Sequence, residues 1–190
     1  MTLSAADVVL QNNVTVTGTI TRNGSVLSSP VPAGAVTFPP LPPTGITVPV
    51  GGTRNLAPGA YGPVTVFANA TLRLSSGTYF MQSLDIEPGA RILLDSGSQE
   101  VRVNVRTTFT FRGSVASEGG PGPLSRLAVV VQGSTAVAVE GLFQGALYAP
   151  NATMNLGTST ARTQRGEFFA RTIEVRPDVS VVHTPFRCQQ

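Results

Sequence analysis

The sequence predicts an all-β fold: a single-stranded β-solenoid (β-helix) of about six or seven rungs with a Pro-rich strap. Three observations predict it. Thr and Val are abundant, and 20 Gly and 15 Pro stand ready for turns. Apolar residues recur in alternating pairs at a nearly constant offset. A corner motif, Leu-x-x-Gly-x-Tyr, occurs at Leu56 to Tyr61 and again at Leu74 to Tyr79.

The composition also excludes classes. With 190 residues the chain suffices for one domain with a sizeable core. Charged residues make up only 12%, all 13 basic residues are Arg, and the net charge is +3. Disorder requires low hydrophobicity and high net charge, and this chain has neither. No apolar run approaches the roughly 18 residues of a membrane-spanning helix, so no membrane span is expected. The pI of 9.8 invites a nucleic-acid reading. The Arg residues, however, are spread from Arg22 to Arg187 without an aromatic-interleaved stripe, so no nucleic-acid partner is expected.

Residues 1–29 read as an N-terminal β-strand segment, with exchange onto a neighbouring copy as one option. Val14, Val16 and Ile20 alternate with Thr15, Thr17, Thr19 and Thr21, the period of a half-buried strand, and Asn23-Gly24 makes a turn. Residues 30–55 read as a Pro-rich extended strap or linker. Pro30, Pro32, Pro39, Pro40, Pro42, Pro43 and Pro49 cannot donate to a ladder. Val36, Phe38, Leu41, Ile46 and Val48 are apolar enough to pack along the body, which favours the strap.

Residues 56–190 read as the solenoid body. The pairs Val64/Val66, Leu84/Ile86 and Val103/Val105 step by 20 and 19 residues. A second series runs Leu72/Leu74, Ile92/Leu94, Val137/Val139 and Met154/Leu156. A rung of this length cannot bury its own apolar face. Stacking rung on rung buries it and satisfies the backbone through ladders about 4.8 Å apart. A β-sandwich also has short strands and regular turns, but it does not explain the constant offset. Gly113 to Ser125 and Gly157 to Arg165 are expected as loops.

Leu127 to Gly133, Gly145 to Thr153 and Gly166 to Ile173 carry a resemblance. The order of a Gly-x-Tyr corner, the segment Tyr148-Ala149-Pro150-Asn151-Ala152, then Gly166 to Ile173, closing near His183, is similar to the β-solenoid domains of unknown function attached to secreted and pilus-associated (PilX-like) bacterial proteins, including myxobacterial surface proteins. It covers about Leu56 to Phe186. It implies export and an extracellular or cell-surface location, and no catalytic residues. Met1 to Asp7 does not read as a signal peptide, which leaves either a cytoplasmic protein or one whose leader or larger parent is absent from this chain, and the resemblance favours the second.

Candidate chemistry is sparse. Asp85 and Glu87 are two apart on one strand, and stacking of neighbouring rungs offers a way to bring Asp95 near, but glycoside cleavage needs two carboxylates converging across a cleft. His183 is the sole histidine, so a triad would have to use Glu174 or Asp178, and no Gly-x-Ser-x-Gly elbow presents a serine. Tyr61, Tyr79 and Tyr148 follow corner glycines, which favours corner packing over a glycan-stacking line. Cys188 is a lone thiol without a metal-binding pattern. No catalytic residue, metal or cofactor is therefore expected. The reading is a non-enzymatic structural solenoid that forms a homo-oligomer or fibre through its ends, with a cell-surface or glycan partner as an option. The alternative is a carbohydrate-binding or polysaccharide-cleaving module. Ice binding would need a flat Thr ladder that the repeats lack.

Overall fold

Period-2 apolar patterning does here what it requires: it places every second side chain inside a stack of parallel strands. The computed structural model describes all residues except 1, 6, 12, 13, 18, 23–35, 96–99, 119–125, 158–161 and 184–190. Cys188 and the Asn23-Gly24 turn lie outside the described residues. The strands are β1 (Thr2–Ala5), β2 (Asp7–Leu10), β3 (Thr15–Thr17), β4 (Thr19–Arg22), β5 (Ile46–Val48), β6 (Thr53–Leu56), β7 (Gly59–Val66), β8 (Thr71–Leu74) and β9 (Gly77–Ile86). They continue with β10 (Arg91–Leu94), β11 (Val101–Val105), β12 (Phe109–Phe111), β13 (Ser114–Ser117), β14 (Leu127–Val131), β15 (Val137–Val139), β16 (Gln144–Leu156), β17 (Arg162–Val175) and β18 (Val179–Val182). All their pairings are parallel, and they wind a β-solenoid of about six turns.

Each turn visits three faces. The first face stacks the start of β7, the start of β9, β11, β14, the start of β16 and the middle of β17. The second stacks β5, the ends of β7 and β9, β12, β15 and the ends of β16 and β17. The third stacks β6, β8, β10 and β13, and later the start of β17 and β18. Winding thus begins at Ile46, earlier than the repeat becomes visible at Leu56. Residues 114–117 and 162–165, expected in loops, are strands of the third face.

The N-terminal segment does not precede this stack; it ends it. β1 pairs with β17 on the first face, β2 with β17 on the second, β3 with β18 on the third, and β4 lies beyond β1 on the first again. The chain therefore starts at one end of the rod, crosses to the other, and winds back onto its own first residues.

The crossing uses the strap. Val36 packs on the buried cluster of Ala128, Val130, Ala146, Tyr148 and Phe169. Phe38 meets Phe80 edge-on at 5.8 Å, with the Arg106 guanidinium 5.1 Å from the Phe38 ring centre. The strap thus runs along the outer side of the first face. It covers a column in register, Phe80, Asn104, Val130, Tyr148 and Phe169, that would otherwise expose aromatic surface.

Inside, side chains stack in columns. One runs Ile46, Val64, Leu84, Phe109, then Val137, Met154, Ile173 and Val8. Its neighbour runs Val48, Val66, Ile86, Phe111, Val139, Leu156, Val175 and Leu10. Mid-rod, Phe109, Phe111, Phe143 and Phe168 pack successively, with centroids 6.2, 5.4 and 5.8 Å apart. Each fully buried Val, Leu or Ile contributes about 1.5–3 kcal/mol, and truncating a buried Phe costs about 3–5 kcal/mol. At one corner the coils approach too closely for a side chain. Gly145 and Gly166 are in register with φ of 143° and 139°, and a Cβ on Gly166 would meet the Gly145 carbonyl oxygen.

Candidate functional site

A groove of about 300 Å³ opens where the third face turns into the first. Three successive strands supply its floor from outward positions: Asn55 of β6, Arg73 of β8 and Leu93 of β10 are in register. The chain ends of those strands supply the wall: Leu56, Ala57, Leu74, Ser75 and Asp95. Glu118, just past β13, closes it by a 2.6 Å ion pair from its Oε1 to Arg73 Nη2. Both side chains are more than two-fifths exposed, so the pair adds little stability. Its effect is positional: it holds one guanidinium and one carboxylate at the rim.

Beneath the groove lies the corner tyrosine. Tyr79 is fully buried, and its hydroxyl lies 3.0 Å from the Leu56 carbonyl and 2.9 Å from that of Ser75, with Ser75 Oγ at 3.2 Å. Burial raises its phenol pKa above the usual value, against the lowering effect of the Ser75 hydrogen bonds. It acts as a pin between coils. Tyr61 stacks on it, with centroids 6.4 Å apart. Tyr148 is buried too and stacks on Phe169 at 4.6 Å. The three tyrosines do not form an exposed line.

The acids singled out in the sequence are not brought together. Asp85 points outward on the second face between Thr65 and Thr110, and Arg112 Nη2 reaches its Oδ1 at 3.2 Å. Glu87 lies past the end of β9, where its Oε2 accepts the Ala68 amide at 3.0 Å and fixes the turn of the preceding coil. Asp95 sits at the groove, on another face. His183 lies 3.4 Å from Glu167 Oε1. Glu174 lies on the second face between Asn155 and Val9, and Asp178 occupies a left-handed turn with φ of 60°. Neither joins His183.

Arg73 and Glu118 are the groove residues that the sequence did not single out as a pair. The signal was present: Arg73, Asp95 and Glu118 follow one another at about one coil length, the spacing that stacks side chains. Chemically, a guanidinium flanked by carboxylates on an open rim donates to and accepts from hydroxyl-rich ligands. Among the described residues, no group of three or more His, Cys, Asp or Glu is placed to hold a metal ion, and no helix is long and apolar enough to cross a membrane. No protein-family model, no curated protein and no solved structure matches this chain.

Proposed function

We propose that this chain is a non-enzymatic structural β-solenoid of the cell surface or extracellular space that stacks end to end into a fibre. One observation carries the reading. Among the described residues, β5 and β6 at one end, and β2, β3 and β4 at the other, each pair with one neighbouring strand only. Open parallel edges are templates for further pairing. A rod that repeats along its axis extends by head-to-tail contact. The location outside the cell is supported by the likeness of Gly145 to Thr153 and Gly166 to Ile173 to exported solenoid domains.

The test is electron microscopy of the purified full chain together with its mass in solution over a range of concentrations. Filaments one solenoid wide, lengthening with concentration, are expected. A discrete monomer at every concentration overturns the reading. The groove at Arg73, Asp95 and Glu118 favours a second reading, a carbohydrate-binding module. A monomer retarded by an immobilised acidic or neutral polysaccharide, with retardation lost in Arg73→Ala, would replace the first reading with the second.

A further inference from the structure

We propose that a second copy of this chain docks β5, β6 and the start of β7 onto β2, β3 and β4 of the first, continuing the same winding. The proposal rests on the structural reading above and specifies its joint.

The helical phase of the two ends matches. At one end the winding of the described residues runs β1, β2, β3, β4, that is first, second, third and first face. At the other end it begins on the second face with β5, passes to the third with β6 and reaches the first with β7. A copy placed head to tail therefore sets its β5 over β2, its β6 over β3 and its first-face strand over β4. Among the described strands none is doubled and none is missing.

The hydrogen-bond parity of the two edges matches as well. Backbone groups of alternate residues in a strand point to opposite sides. The Phe67 amide donates to the Val48 carbonyl, so Val48 faces β7 and Thr47 faces the open edge. The Gln11 amide donates to the Val175 carbonyl, so Gln11 and Val9 face β17 while Val8 and Leu10 face the open edge. Continuing the inner columns puts Ile46 over Val8 and Val48 over Leu10, which sets Thr47 over Val9. In a parallel pair a residue bonds to the two neighbours of its register partner. The Thr47 amide then donates to the Val8 carbonyl of the other copy, and the Leu10 amide of that copy donates to the Thr47 carbonyl. Both edges present the needed groups.

Exposed apolar surface gathers at the two ends. Among the described residues four large apolar side chains are exposed: Val9 at 41%, Leu10 at 39%, Val50 at 69% and Leu142 at 42%. Three of these lie on the two terminal coils.

The experiment uses Thr47→Pro. Proline is tolerated on an edge strand where the lost amide faces outward, so the fold is kept while the donor to Val8 is removed. Wild type is expected to form filaments and Thr47→Val, which keeps the amide, to form them too. Thr47→Pro is expected to remain monomeric with an unchanged circular dichroism spectrum, and to shorten wild-type filaments when mixed in, because its β2 end still accepts a copy. Leu10→Asp tests the opposite end should Thr47→Pro fail to fold, and is expected to abolish filaments. Filaments undiminished by a folded Thr47→Pro, or by Leu10→Asp, overturn this joint and leave the structural reading standing. Wild type that stays monomeric at every concentration overturns both.

Discussion

Gln164 stands in for a missing stretch of sheet beside Phe143. Its Oε1 accepts the Phe143 amide at 3.2 Å while its Nε2 donates to the Gly141 carbonyl at 2.7 Å. The third face is irregular there, and only an isolated bridge links Ser114 to Leu142. Gln164 is fully buried, in line with Val181 and Val16 of the next coils. Replacing it with Leu leaves a buried N–H and a buried carbonyl unsatisfied. The expected loss is about 2 kcal/mol, or roughly 4–8 °C in Tm for a chain of this size. Gln164→Glu discriminates further: its second oxygen opposes the Gly141 carbonyl when ionised and donates to it when protonated. That variant should melt closer to wild type at acid pH than at neutral pH. Equal deficits at both would show that shape, not hydrogen bonding, is what matters at this site.

The strap's contribution rests on Phe38, half-buried against Phe80. Phe38→Ala is expected to destabilise the chain by about 2 kcal/mol, half the cost for a fully buried ring, and to increase binding of a hydrophobic dye to the bared first face. Arg106→Gln removes only the cation over the ring and should cost about 0.5 kcal/mol. If the two variants melt alike, the strap is held by charge and not by its aromatic residue.

Glu100 introduces a pH dependence. Burial raises its carboxyl pKa above the usual 4.5, with the nearby Arg102 opposing the shift, and its Oε1 is buried without a hydrogen-bond partner. A carboxyl whose pKa is raised by folding contributes stability below its unfolded value, and that contribution is lost as pH rises through the folded value. Glu100→Gln, neutral throughout, should therefore raise Tm at pH 7 and have little effect at pH 4. Melting curves of both proteins across this window decide it. A lower Tm for Glu100→Gln at pH 7 would mean that the ionised carboxylate is stabilised by Arg102 more than burial penalises it.

The inner columns were legible because alternation depends only on which residues are apolar, and Val64, Leu84 and Val137 declare themselves. The place of the N-terminal coil was not. The pattern Val14, Val16, Ile20 suits a strand that opens the stack and one that closes it equally well, and only pairing in space decides. Strand β5 was hidden because Pro49 and the prolines before it mask three residues of alternation. Strands at 114–117 and 162–165 were hidden by small and polar neighbours, and in the second case by an inward Gln164 where the pattern wants a hydrophobe. The groove was missed for a related reason. The repeat declares itself through its apolar residues, whereas Arg73, Asp95 and Glu118, which it brings to one corner, follow no apolar alternation that marks them.

Arg54 sets the strength of any joint between copies. It occupies the inward position that Leu72 and Ile92 fill in the next two coils, yet it is exposed because it lies on the first coil. Following Val115, Phe143, Gln164 and Val181 along the rod, this column ends at Val16 of the last coil. A docked copy would therefore set Arg54 over Val16. The aliphatic stem can pack there, but the guanidinium must escape to the rim or lose its water. An inward charge on a terminal strand is also a known means of blunting an edge. Arg54→Leu removes that cost and extends the column by one apolar level. Its own coil gains little, since the side chain is solvated in the single chain. Assembly should then begin at a protein concentration about tenfold lower, the equivalent of about 1.4 kcal/mol per joint. Sedimentation across a dilution series measures this directly. An unchanged or higher threshold for Arg54→Leu would mean that Arg54 and Val16 never meet.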